Sequence, residues 1–349
     1  MTRTLNETKL RTDTGDIRHA ASLTAAEIAN FWQGYLRYTM LKCVYTHFRD
    51  TVEDAATRRI VETGMELINT RVKAAASYLE RANIPVPAGF TGEDVNSRAP
   101  RLYSDTFFLQ YTLRQCEYGL GFIGASLSSA ARYDVREFFS ECIAATTSYL
   151  NLVVDVALAK GVYLRSPIIS AEGGRDFVKK RSFLSGVLVE PRPLLLEEAG
   201  LLDHDIKANL TGRSLLTGFK QTAKSEKVRG YIEKGIEIAT SIINSLHNIL
   251  AAESIPVSMP SEEYVTKSTE SPFSDRLMLY HTITLSALGL TSYMRSLTLS
   301  PRHDIDLIYG RLMGEVAKYS MDGLNLMIDS GWYEEPPQVS SGRKPGDGQ

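Results

Sequence analysis

The side chains with most capacity for chemistry are six histidines, three cysteines and a set of carboxylates that recur along the chain. Glu62 and Glu66 stand four residues apart, and the same spacing returns at Glu233 and Glu237. Carboxylates on one helix face are hard oxygen ligands and His47 would add an imidazole, so these five residues are the candidates for holding a metal ion. A di-metal carboxylate centre in a helical bundle takes a Glu from each of two helices and a Glu-x-x-His pair from each of the other two. Here Asp16, Val44, Leu201, Asn244, Met278 and Ser300 stand three positions before His19, His47, His204, His247, His281 and His303, so no Glu-x-x-His exists. No metal and no other cofactor is therefore expected.

Tyr111 and His281 are the candidates for binding a small molecule, because with His47 they could line a polar pocket between helices. Cys43 lies one helical turn before His47, but a thiol and an imidazole without a third, orienting group do not make a nucleophile and its base. No catalytic residue is assigned. Gly119-Leu-Gly121-Phe-Ile-Gly124 is a literal G-x-G-x-x-G, the pattern that lets backbone approach a pyrophosphate at a strand-to-helix turn. It lies within a helical pattern, and its counterpart from Gly289 keeps only the first glycine, so close helix packing is expected instead. The other recurring polar positions read as structural. Asp105, Asp275, Asp134 and Asp304 suit first helical turns, where the dipole favours anions. Arg132 and Arg302 can bridge them, and Gly161 and Gly331 suit helix ends.

These residues sit on a duplicated scaffold. Sliding the chain by 171 residues lays Phe48–Val86 over Phe219–Val257 with 10 identities in 39 positions. An offset of 170 then pairs positions 91–163 with 261–333 at 15 in 73. Together these give 25 in 112, where chance gives roughly one in twenty. Among the pairs are Phe48/Phe219, Gly64/Gly235, Ser104-Asp105/Ser274-Asp275 and Gly161/Gly331.

Each copy reads as four long helices. The first runs from Leu23 to about Val52 on apolar three-and-four spacing, and the second from Asp54 to Ala82, where Pro85 and Pro87 stop it. The third starts at Ser104-Asp105 and reaches about Ser129. The fourth runs from about Arg132 to Lys160. In the second copy Ser300-Pro301 reads as a cap and first turn. The long Pro85–Pro100 loop could carry the chain across the bundle end. The expected division is a polar tail over 1–22, a first bundle over 23–164, a connecting strap over 165–193, a second bundle over 194–337 and a disordered tail over 338–349. Phe177, Val178, Phe183, Leu184 and Val187 predict that the strap packs along the bundles.

Composition narrows the function. The 349 residues are 43% hydrophobic and carry a net charge of −2, which leaves no sequence-wide positive field for nucleic acid. Three scattered cysteines point to reduced thiols and a cytoplasmic setting. The longest uncharged run, Leu277–Met294, is too polar for a membrane span and must be a helix covered on all sides. No transmembrane segment is expected.

Three stretches carry a family resemblance: Pro87-Ala-Gly89-Phe90-Thr-Gly-Glu-Asp94-Val95-Asn96, Pro272-Phe273-Ser274-Asp275-Arg-Leu277-Met278 and Gly331-Trp332-Tyr333-Glu-Glu-Pro336-Pro337. The chain resembles domain-of-unknown-function family 3231, tandem helical proteins of spore-forming Firmicutes, from Leu23 to about Pro337. The resemblance implies an all-α fold of two tandem ferritin-like four-helix bundles and distant kinship with the spore-coat F family. It carries no catalytic residues. The resulting expectation is a non-enzymatic structural or interaction protein, cytoplasmic and spore-associated, with protein partners or self-association. The alternative is a ferritin-like protein holding a metal or small molecule in an atypical site. An apolar ligand between the bundles would require a pocket that only a structure shows.

Overall fold

The computed structural model describes residues 21–170, 174–187, 189–257, 259–260 and 263–339. Most of both expected tails, with Asp16 and His19, lies outside them. The described residues form eight α-helices, α1 (Ala25–Thr51), α2 (Ala55–Arg81), α3 (Asp105–Ser128), α4 (Tyr133–Ala159), α5 (Leu196–Thr222), α6 (Glu226–Ala252), α7 (Asp275–Leu299) and α8 (His303–Asp329). Two short 3-10 turns, Gly92–Asp94 and Arg181–Leu184, complete them. Neighbours pair as α1/α2, α3/α4, α5/α6 and α7/α8.

Local chemistry sets the boundaries. Thr24 caps α1 in a capping box with Glu27, and Asp54 and Ser225 cap α2 and α6. Gly161 and Gly331 leave α4 and α8 at φ +68° and +67°. The amides that follow, Val162 and Trp332, return to the Ala157 and Met327 carbonyls at 2.9 Å, the bond that closes a glycine-capped helix. One boundary differs from expectation. Ser300 ends α7 and α8 begins at His303, because the Arg302 guanidinium holds Asp304 (2.7 Å), the Arg192 carbonyl (2.9 Å) and Glu253 (3.3 Å) with Ser300 and Arg302 in extended backbone.

The two copies share a core. Phe48, Phe107, Phe108 and Tyr111 of the first copy join Leu215, Phe219, Leu277 and Met278 of the second in one buried cluster. Burying each such side chain contributes about 1.5–3 kcal/mol. Above the core, the loop after α2 does not simply cross a bundle end. It pairs antiparallel with the loop before α7, through bridges Val95 to Phe273 and Tyr103 to Val265 and bonds such as Asn96 N–H to the Pro272 carbonyl (2.8 Å).

The connecting strap packs only in part, with Phe183 and Leu184 half-buried. Phe177 is 88% exposed, and Val178, Val187 and Val189 are exposed too. It is held at its ends, where the Ser166 hydroxyl donates to Asp203 (2.6 Å) and Arg192 stacks over Phe183 while pairing with Glu198 (2.8 Å). The uncharged run of α7, Leu277–Met294, is covered only in part. Its first turns are buried, but Ala287, Thr291 and Met294 face solvent. Among the described helices α4, not the 277–294 run, is long and apolar enough to cross a membrane.

Candidate functional site

The polar groups singled out from the sequence fall into three places. The first is the contact between the copies. Tyr111 and His281 are equivalent positions of the repeat, and they meet: the Tyr111 hydroxyl lies 3.1 Å from His281 Nε2, both side chains 1% exposed. Equivalent residues touch when two units face each other across a twofold, so this pair marks a pseudo-dyad. Around it, Phe48 packs edge-on to Tyr111 (5.3 Å between ring centres) and its counterpart Phe219 lies 5.8 Å from His281. Burial, aided by the Arg37 charge, pulls His281 down to about 3. His47 is also buried; its Nε2 accepts the Leu102 amide (3.4 Å), its ring meets Phe273 edge-on, and burial pulls it down to about 4. The second copy has Gly218 where the first has His47, and Tyr103 fills the vacated space with its hydroxyl on the Leu215 carbonyl (2.7 Å).

The second place is the outer surface. Glu62, Glu66, Glu233 and Glu237 are all exposed on α2 and α6, Glu233 pairing with Lys220 (2.6 Å) and Glu237 with Lys234 (3.2 Å). They do not gather with buried His47. Among the described residues no group of three or more His, Cys, Asp or Glu side chains is placed to hold a metal ion.

The third place is the helix ends. Asp105 accepts the Asp54 amide (2.7 Å) and Asp275 accepts the Ser225 amide (2.7 Å), so each ties the start of its own helix to the start of α2 or α6. Arg132 pairs with Asp134 (2.6 Å) as Arg302 does with Asp304, and these bonds hold both aspartates below the usual carboxylate range against the upward pull of burial. Cys43, Cys116 and Cys142 are free and buried. Burial pushes Cys43 and Cys116 up to about 12, far from the thiolate that nucleophilic chemistry needs. The glycine motif lies inside α3, with no strand-to-helix turn. Its expected close packing is absent as well, since nothing would meet a Cβ at Gly121 or Gly124.

Three polar features escaped the sequence reading. Asp205, fully buried on α5, accepts hydroxyls of Ser296 (2.7 Å), Tyr309 (2.8 Å) and Ser292. Two residues before it, Asp203 pairs with Lys207, one turn further on, at 2.6 Å, both buried. Arg37 of α1 is 7% exposed, with its guanidinium on Gln115 (3.3 Å) and 5.8 Å from the Phe122 ring centre. Their repeat counterparts are Gly34, Trp32, Leu36 and Ala208. A search for positions polar in both copies passes over them; for Arg37 an isolated charge in an apolar helical stripe was the available signal, whereas Asp203, Asp205 and Lys207 stand together in one charged stretch.

Comparison with known proteins supplies a family but no activity. The family described as "Protein of unknown function (DUF3231)" matches residues 13–173 and again 182–344, one match per copy. No curated protein matches the chain. Among solved structures, a putative spore coat protein of Bacillus halodurans C-125 is similar at 16% identity and a TM-score of 0.41, over 43% of this chain and 98% of that one.

Proposed function

We propose that this chain, which belongs to the DUF3231 family, is a non-enzymatic structural or interaction protein built as a covalently joined pseudo-dimer. One observation carries the reading: the recurring polar groups at the contact between the copies and at the helix ends are engaged in holding helices together, and the recurring glutamates are scattered on the surface without a histidine or cysteine beside them. Tyr111 and His281 bond each other across the copies, Asp105 and Asp275 bind the starts of α2 and α6, and Arg132 and Arg302 clamp Asp134 and Asp304. A group fixed in this way has neither the exposure nor the free valence that acid–base or nucleophilic work requires. Association with the spore rests on the resemblance of the Gly331-Trp332-Tyr333 ending to the coat F family.

Two measurements test this. Elemental analysis of protein purified without chelator should find no stoichiometric metal; one equivalent of iron, manganese or zinc would overturn the non-enzymatic reading in favour of an atypical metal site. Immunodetection across a sporulating culture should place the chain with purified spores. Its confinement to vegetative cells would remove the spore assignment.

A further inference from the structure

The two copies fold alike, yet the two equivalent places between them differ in size and in what lines them. On one side, a cavity of about 520 Å³ lies between the first half of α1, the Phe90 loop, Tyr280 of α7 and the chain that follows α8. Its walls include Trp32, Leu36, Tyr280 and Trp332. At the repeat offset these positions are Asp203, Lys207, Gln110 and Val162. There a smaller cavity of about 220 Å³ remains, and the side chains at these four positions bond one another: Asp203 pairs with Lys207 (2.6 Å) and takes the Ser166 hydroxyl (2.6 Å), and the Gln110 amide donates to the Val162 carbonyl (2.6 Å). The shared backbone plan therefore does not by itself set the larger volume. Side chains of both copies line the larger cavity, and its volume is that of a small-molecule site.

The chemistry of the walls selects the occupant. The two charged side chains are already matched within the protein. Arg276 lies 4.6 Å over the Phe90 ring, donates to the Gly89 carbonyl (2.8 Å) and faces Asp94 at 3.6 Å. Glu334 accepts the amides of Gly89 (3.2 Å) and Ala88. An ionic ligand would find no unmatched partner while losing its hydration. The remaining surface is mainly aromatic and aliphatic, and Gln33 beside it offers a carboxamide to one polar group. We propose that this cavity binds one uncharged, largely hydrocarbon small molecule against Trp32 and Trp332, with the segment after Gly331 clasped over it by the Glu334 bonds to the Ala88–Gly89 backbone.

The chain has only two tryptophans, Trp32 and Trp332, and both line this cavity, so intrinsic fluorescence reads the site without background. The intact protein is titrated with ω-bromododecanol, a neutral heavy-atom quencher, and separately with ω-bromododecanoate. Saturable quenching by the alcohol at one equivalent per chain is expected, with the carboxylate binding at least tenfold more weakly. Ala29→Phe and, separately, Ala25→Phe, at exposed positions on the cavity-facing side of α1, should weaken the alcohol at least tenfold while leaving the far-ultraviolet circular dichroism unchanged. Quenching that never saturates, or saturates unchanged in a folded variant, would overturn the site. Tighter binding of the carboxylate would overturn the neutral-ligand assignment.

Discussion

Gly235→Ala is predicted to destabilise the protein, although alanine is the better helix former. A Cβ at Gly235 would fall on the Tyr319 hydroxyl, with Tyr319 Cζ at 2.9 Å and Leu216 Cδ1 at 3.0 Å. The tyrosine cannot step aside cheaply. It is 6% exposed, its ring stacks on Tyr231 with centres 4.3 Å apart, and its hydroxyl donates to the Tyr231 carbonyl at 3.0 Å. Overpacking of this kind costs about 1–3 kcal/mol and the displaced hydrogen bond about 1 kcal/mol, offset by about 1 kcal/mol of helix propensity. A net loss of about 1–3 kcal/mol is expected. The first copy has the same construction, with Gly64 facing Tyr149, whose hydroxyl bonds the Ile60 carbonyl at 2.8 Å. Urea denaturation at constant m gives each loss as a shift of the midpoint. Adding Tyr319→Phe to Gly235→Ala should return about 1 kcal/mol, because it removes the atom that the methyl strikes. A neutral or stabilising Gly235→Ala would refute the steric reasoning.

Other predictions follow from the same structure. Gly121→Ala and Gly124→Ala, in a helix where no neighbour lies near, should each stabilise by about 0.5–1 kcal/mol in the same assay. His47 and His281 titrate lower in the folded than in the unfolded chain, so the unfolded state binds more protons below pH 6.5. Stability should then fall as pH drops from about 6.5 toward 4, by up to roughly 1.4 kcal/mol per unit for each ring. A His47→Gln/His281→Gln variant should flatten that slope in urea melts at pH 7 and pH 5. Asp205→Asn exchanges a carboxylate held by three hydroxyls for an amide and should cost about 2–4 kcal/mol, read by thermal melting; a loss below about 0.5 kcal/mol would count against that network.

Much of the scaffold was legible because it depends on local chemistry. The helix limits followed from the apolar spacing after Leu23 and from Asp54, Ser104 and Gly331, and the repeat followed from counting identities. Gly64 and Gly235 stood out as identities without a meaning, since the tyrosines they admit lie about 85 residues further along. Tyr111 and His281 were legible as equivalents and as a candidate pocket. That equivalents touch depends on how the copies dock, which no helical period encodes. The strap was legible only in part because apolar content was taken to demand burial: Phe183 and Leu184 are half-buried, whereas Phe177 stands exposed. Asp205 and Lys207 were missed because duplication directed attention to shared polar positions, and divergence had placed these in one copy only.

The central claim is that the two copies form one cooperative body around a pseudo-dyad, rather than two bundles on a tether. Differential scanning calorimetry of the intact chain tests it most directly. A single endotherm, with calorimetric and van't Hoff enthalpies equal within error, is predicted. Two resolved endotherms, or a calorimetric enthalpy about twice the van't Hoff value, would contradict it.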